Sequence, residues 1–192
     1  DPHRAQAQSR RDPLAAPGEY TVKLMVDGKS FSQPLTIRMD PRVTTPTDAL
    51  AKAHETALQC YDGIMSVRTA QAEARRLREQ LRALSSRAGA LATAIADLDK
   101  KAATFEGRSA GIDDFGMGNR EPGLAGLATG FMTLMNIVDG ADALPTTQAL
   151  SAAADLQRSL QQLLAQWNDV KTKDVKTLNE QLQKAGLPLL AN

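Results

Sequence analysis

The apolar positions of this chain fall into two periodicities. Near the start, Tyr20, Val22, Leu24 and Val26 alternate with Thr21, Lys23 and Met25, the period-two pattern of a strand with one apolar side. Asp27-Gly28 follows, a dipeptide suited to the positive φ angles of a two-residue hairpin turn. Phe31 to Met39 then reads as the return strand, with Pro34 marking it as an edge strand. The turn predicts a register: Val26 with Lys29, Leu24 with Phe31, Val22 with Gln33, Tyr20 with Leu35. Directly opposed residues share a face. Tyr20, Val22, Leu24, Val26, Phe31, Leu35, Ile37 and Met39 therefore form one apolar face large enough to need a cover.

From residue 48 onward the period becomes helical. Leu50, Ala53, Ala57, Cys60, Ile64, Val67, Ala70, Ala74, Leu77, Leu81 and Leu84 make one stripe, predicting a helix from about Asp48 into the mid-80s, capped by Thr47 or Asp48. Gly63 inside it is expected to cost up to ~1 kcal/mol relative to Ala, which makes it the point at which this helix can kink. A second helix carries Leu91, Ile95, Leu98, Ala102 and Phe105. A third carries Leu124, Leu127, Phe131, Leu134 and Val138, with Gly126 and Gly130 on it as places of close approach. The central stripe, which carries the single tryptophan, is Ala149, Ala153, Leu156, Leu160, Leu163, Trp167 and Val170, opened by Pro145-Thr146-Thr147. Lys171 to Asp174 reads as a polar break. A short last helix with Val175, Leu178, Leu182 and Ala185 stops at Gly186 and Pro188.

These elements predict a mainly α protein. Residues 1–16 form an irregular lead-in, 17–43 a β-hairpin, and 44–192 an antiparallel bundle of four long helices plus a short C-terminal one. Composition agrees: of 192 residues, 42% are hydrophobic but only 4% aromatic, so Ala and Leu must build the interior. Lys plus Arg number 23 against 22 Asp plus Glu, which gives no general attraction for nucleic acid. A single cysteine, Cys60, excludes an internal disulfide. No apolar run approaches the ~18–20 residues of a membrane span. The missing initiator Met and signal-like segment at Asp1 lead us to expect a piece of something longer.

The candidate chemistry is sparse. His3 and His54 are the two histidines, and His54-Glu55 lacks the second His of a zinc-protease helix. Asp113, Asp114 and Asn119 do not keep the ligand register of a calcium loop. Gly116-Met117-Gly118 has neither the preceding strand nor the following Lys of a phosphate cradle. Cys60 lies on an apolar stripe, where a small hydrophobe is expected. We therefore expect no catalytic, cofactor-binding or metal-binding residues in this chain. The one charged feature is Arg68, Arg75, Arg76, Arg78, Arg82 and Arg87 against Glu73 and Glu79. It reads as a solvated face, partly paired through Arg75–Glu79 and Glu79–Arg82. Its functional alternative is a weak docking face for an anionic partner through Arg68, Arg75, Arg76, Arg78 and Arg82. No aromatic residues interleave for base stacking.

One stretch is more specific than its periodicity. Pro17-Gly18-Glu19-Tyr20-Thr21-Val22-Lys23-Leu24, Val26-Asp27-Gly28-Lys29, Gln33-Pro34-Leu35-Thr36-Ile37 and Met39-Asp40-Pro41-Arg42-Val43 together resemble a junction in bacterial secreted proteins. Those proteins carry Asp-box repeats and are described as glycosyl-hydrolase or sortilin-like propellers. Val138 to Ala143 with Pro145-Thr146, and Leu182 with Ala185 to Pro188, resemble later segments of the same helical tail. The resemblance implies that the hairpin ends an immunoglobulin-like sandwich, that the chain is exported to the periplasm or beyond, and that its role is accessory. It implies an upstream propeller or sandwich, or another protein, as the partner. The Asp-box repeats themselves are absent here, so no glycan-binding or hydrolytic residue carries over. Two alternatives stand beside the accessory module: part of a glycosyl-hydrolase-like enzyme with its catalytic propeller upstream, and an anion- or nucleic-acid-binding module using the Arg68–Arg87 face.

Overall fold

The computed structural model describes residues 12–106 and 123–191. The protein is mainly α, a helical bundle preceded by a two-stranded antiparallel hairpin. Strands β1 (Gly18–Val26) and β2 (Lys29–Ile37) are followed by α1 (Thr47–Ser85), α2 (Ala92–Glu106), α3 (Leu124–Asp139), α4 (Thr147–Asp169) and α5 (Lys176–Lys184). The predicted hairpin register is found, with Val26 opposite Lys29 and Tyr20 opposite Leu35. Asp27 and Gly28 both take positive φ, 48° and 77°, as a two-residue turn that matches the strand twist requires.

The chain divides into two compact units. The first takes in the chain up to Tyr61 together with Thr133–Ala153; the second takes in Asp62–Met132 and the chain from Ala154 onward.

In the first unit, the start of α1 buries Ala49, Ala53, Ala57 and Cys60. The end of α3 buries Leu134, Met135 and Val138. Asp40 turns the chain out of the hairpin: its carboxylate accepts from the Arg42 backbone N–H at 2.9 Å and from the Arg42 guanidinium at 2.7 Å. Ahead of the hairpin, Leu14 N–H donates to Asp139 Oδ2 at 3.1 Å. Thr45 Oγ1 donates to the Asp142 carbonyl, which anchors the linker before α1. Thr146 caps α4, its hydroxyl accepting from Ala149 N–H at 3.2 Å.

In the second unit, the stripe of α1 continues as Ile64, Val67, Ala70, Ala74, Leu77, Leu81 and Leu84, all buried. Ile95, Leu98, Ala102 and Phe105 of α2 and Leu160 and Trp167 of α4 are buried in the same unit. Trp167 is 3% exposed, and its ring lies 5.2 Å from that of Phe105, tilted by 46°. The separation lies within the range over which aromatic rings attract.

Helix α1 includes Gly63 without interruption, and glycine there makes room for a neighbour: a Cβ would lie 2.7 Å from the Phe131 ring. Gly130 is a second close approach, where a Cβ would meet Leu156 Cδ2 at 2.8 Å. One expectation is corrected: the polar break at Lys171 to Asp174 is absent. A π-helical segment, Val170–Val175, joins α4 to α5. The apolar stripe explains it: the step from Val170 to Val175 is five residues. A regular helix would carry Asp174 inward, and one wide turn restores Val175 to the core instead. Val170 and Val175 are both buried. Thr172 Oγ1 donates to the Asn168 carbonyl and Lys173 pairs with Asp169, keeping the wide turn closed.

Candidate interaction surface

The hairpin is the region the rest of the fold leaves open. Residues 19–36 are all exposed. Phe31 is 56% exposed, Leu24 59% and Val22 52%, with Tyr20, Val26 and Leu35 also exposed. These six side chains share one face by the observed register. Ile37 and Met39, at the base, are half-buried. The opposite face carries Glu19, Thr21 and Lys23, with Thr36 Oγ1 donating to Glu19 Oε2 at 2.9 Å. One face of the hairpin is thus apolar and the other polar except for Met25, and both are exposed.

The arginine residues separate into two groups. Arg68, Arg76 and Arg82 are exposed. Arg78 is half-buried and committed: its Nε lies 2.8 Å from Asp99 Oδ1, and its Nη1 pairs with Glu106. Arg75 reaches Glu106 at 3.5 Å, so its partner is on α2, in place of the Glu79 expected on its own helix. The carboxylates raise the already high pKa of Arg78, Asp99 foremost. The Arg78 guanidinium in turn holds Asp99 and Glu106 below the usual carboxylate range. Arg78 therefore fastens α1 to α2 inside the second unit.

The sequence reading missed Glu73. Its Oε2 accepts from Trp167 Nε1 at 2.7 Å and from Lys171 Nζ at 2.8 Å. Lys171 Nζ also stands 5.9 Å from the centre of the Trp167 ring. Burial pushes the Glu73 carboxyl up, but the hydrogen bonds from Lys171 and Trp167 outweigh it and hold the group low. A recess of about 570 Å³ opens beside this cluster, near Asp62, Met65, Glu73 and Leu164. The cluster satisfies the indole N–H at the edge of the core, which a buried Trp requires. The sequence carried no signal that singled Glu73 out from Glu79 on the same arginine-rich helix.

The remaining candidates are placed as follows. Cys60 is fully buried; burial, and then the charge of Asp139, push its thiol up to about 11. It therefore stays a neutral thiol at physiological pH and packs as a small hydrophobe. His54 is half-buried beside Leu50 and Asp139, at a recess of about 280 Å³ in the first unit. Among the described residues no three His, Cys, Asp or Glu side chains gather where a metal ion could be held. No described helix is long and apolar enough to cross a membrane. His3, Asp113, Asp114, Gly116 and Asn119 lie outside the described residues.

No protein-family model, no curated protein and no solved structure matches this chain.

Proposed function

We propose that the chain is a non-catalytic accessory and interaction module of a larger, secreted, propeller-type protein, with the hairpin as its docking element. One observation carries the reading: the hairpin's apolar face, with Val22, Leu24 and Phe31 more than half exposed. A contiguous apolar patch on a folded chain marks a contact surface, and a two-stranded hairpin is marginal without something against it. The resemblance of Pro17–Val43 to the end of an immunoglobulin-like sandwich supplies the context, and with it the export to the periplasm or beyond. Catalysis, if the whole protein has it, belongs upstream. No observation favours the anion-binding alternative, since Arg75 and Arg78 already answer to carboxylates of α2.

The test is a titration of the chain against the β-rich region of its parent protein, expressed separately. Binding is expected, weakened at least about tenfold by Leu24→Ser with Phe31→Ser, because each large apolar side chain contributes roughly 1.5–3 kcal/mol when covered. Absence of binding overturns the docking role. Turnover of a model glycoside by the purified chain, abolished by a point substitution within it, overturns the non-catalytic one.

A further inference from the structure

The two edges of the hairpin are not equivalent. Because the turn has only two residues, both at positive φ, Val26 and Lys29 form a hydrogen-bonded pair. Hydrogen-bonded and non-hydrogen-bonded pairs then alternate down the observed register. Tyr20, Val22 and Leu24 turn their backbone groups inward, towards Leu35, Gln33 and Phe31. Glu19, Thr21, Lys23 and Met25 turn theirs outward along the β1 edge. Ser30, Ser32, Pro34 and Thr36 do the same along the β2 edge. Pro34 has no N–H, so the β2 row lacks a donor. The β1 row is complete, and among the described residues β2 is its sole strand partner.

We infer that the β1 edge pairs with a second copy of this chain, antiparallel, about a two-fold axis at Thr21. Charge favours a second copy as the occupant. Outward groups must meet outward groups, and an axis at Thr21 sets Glu19 opposite Lys23 of the second copy and Lys23 opposite its Glu19. An axis at Glu19 or at Lys23 opposes like charges. An axis at Tyr20 or Val22 leaves both charges facing uncharged residues. Glu19 keeps Oε1 for the lysine, since Thr36 donates to Oε2. An edge lysine usually deters pairing; here the same strand carries its complement four residues away. On the other face Tyr20 lies opposite Val22 of the second copy, twice, which is a favourable aromatic–β-branched pair. The product is one four-stranded antiparallel sheet, past the size at which sheets become stable. Its apolar face remains available for the docking proposed above, and the inference does not rest on that docking.

Analytical ultracentrifugation of the whole chain tests it, with circular dichroism as the check on folding. The wild type should be a dimer in reversible exchange with monomer. Thr21→Pro should give a monomer, because it removes an outward N–H and leaves the β1–β2 ladder intact. Ser32→Pro, the equivalent change on the other edge, should remain dimeric. Glu19→Lys should weaken association about tenfold through two lost pairs and new repulsion, and adding Lys23→Glu to it should restore the dimer. A wild-type chain that stays monomeric, a dimer untouched by Thr21→Pro, one lost equally with Ser32→Pro, or a charge swap that fails to restore association overturns the inference.

Discussion

Phe31 and Phe131 are the same side chain in opposite circumstances. Phe131 is fully buried, its ring in the space that a Cβ on Gly63 would need. Phe31 is 56% exposed in the middle of an apolar strand face. Both belong to apolar stripes that the sequence displays with equal clarity, one at the helical period and one at the strand period. The helical stripes find each other within the chain, because several share a period and each can fill the grooves of the next. The strand stripe has no second sheet of its own kind among the described residues. Periodicity tells which side of an element wants burial, and it leaves open who provides it.

The sharpest break in that comparison comes from removing the centre of the filled region. Trp167→Ala should cost ~3–5 kcal/mol, as truncation of a buried Trp does, measured by urea unfolding. Trp167→Phe should cost less, because it keeps an aromatic ring against Phe105 while losing the hydrogen bond to Glu73 and part of the indole's volume.

Gly63→Ala tests whether packing overrides helix propensity. An exposed Gly in a helix gains up to ~1 kcal/mol on becoming Ala. Here the new methyl would stand 2.7 Å from the Phe131 ring carbons, so overpacking of ~1–3 kcal/mol should win. Thermal denaturation should show a lower Tm. Gly130→Ala should be milder, since the atom it meets is the end of the flexible Leu156 side chain.

Arg78→Ala should cost about 1–2 kcal/mol, the value of charge-assisted hydrogen bonds reduced for partial exposure. Arg82→Ala, at an exposed position, should stay within about 0.5 kcal/mol. The same contacts predict an acid limb. Asp99 and Glu106 are depressed, by Arg78 foremost. A depressed carboxyl contributes stability that is present above its unfolded pKa, about 3.9 for Asp and 4.3 for Glu. That stability is lost as pH falls through the lower folded value. Tm should therefore drop below about pH 4 in the wild type, and by less in Arg78→Ala. Equal acid sensitivity in both proteins would remove Arg78 from the account.

Much of the fold was legible because it rests on spacing alone. Ala53 through Leu84 and Ile95 through Phe105 are buried as their steps of three and four require, and the hairpin register follows from its turn. The wide turn at Val170–Val175 was hidden because polar Lys171 to Asp174 resemble a break. The five-residue step between two valines, with no Gly or Pro between them, was the readable sign. Glu73 and Arg78 were hidden for another reason. Helix-surface charges pair within a helix or between helices, and only the packing decides which; Arg75 and Arg78 both chose α2. The candidate surface was legible as a face, since an apolar side on a lone hairpin is visible in alternation alone.

The most direct measurement sets the two phenylalanines side by side. Phe31→Ala and Phe131→Ala are unfolded in urea at a concentration low enough to keep the chain monomeric. The account predicts a loss of ~3–5 kcal/mol for Phe131→Ala, the cost of emptying a filled core position, and a change within about 0.5 kcal/mol for Phe31→Ala, as for a surface site. Comparable losses from both would show that the hairpin face is already filled within the chain, and would contradict its role as an open contact surface.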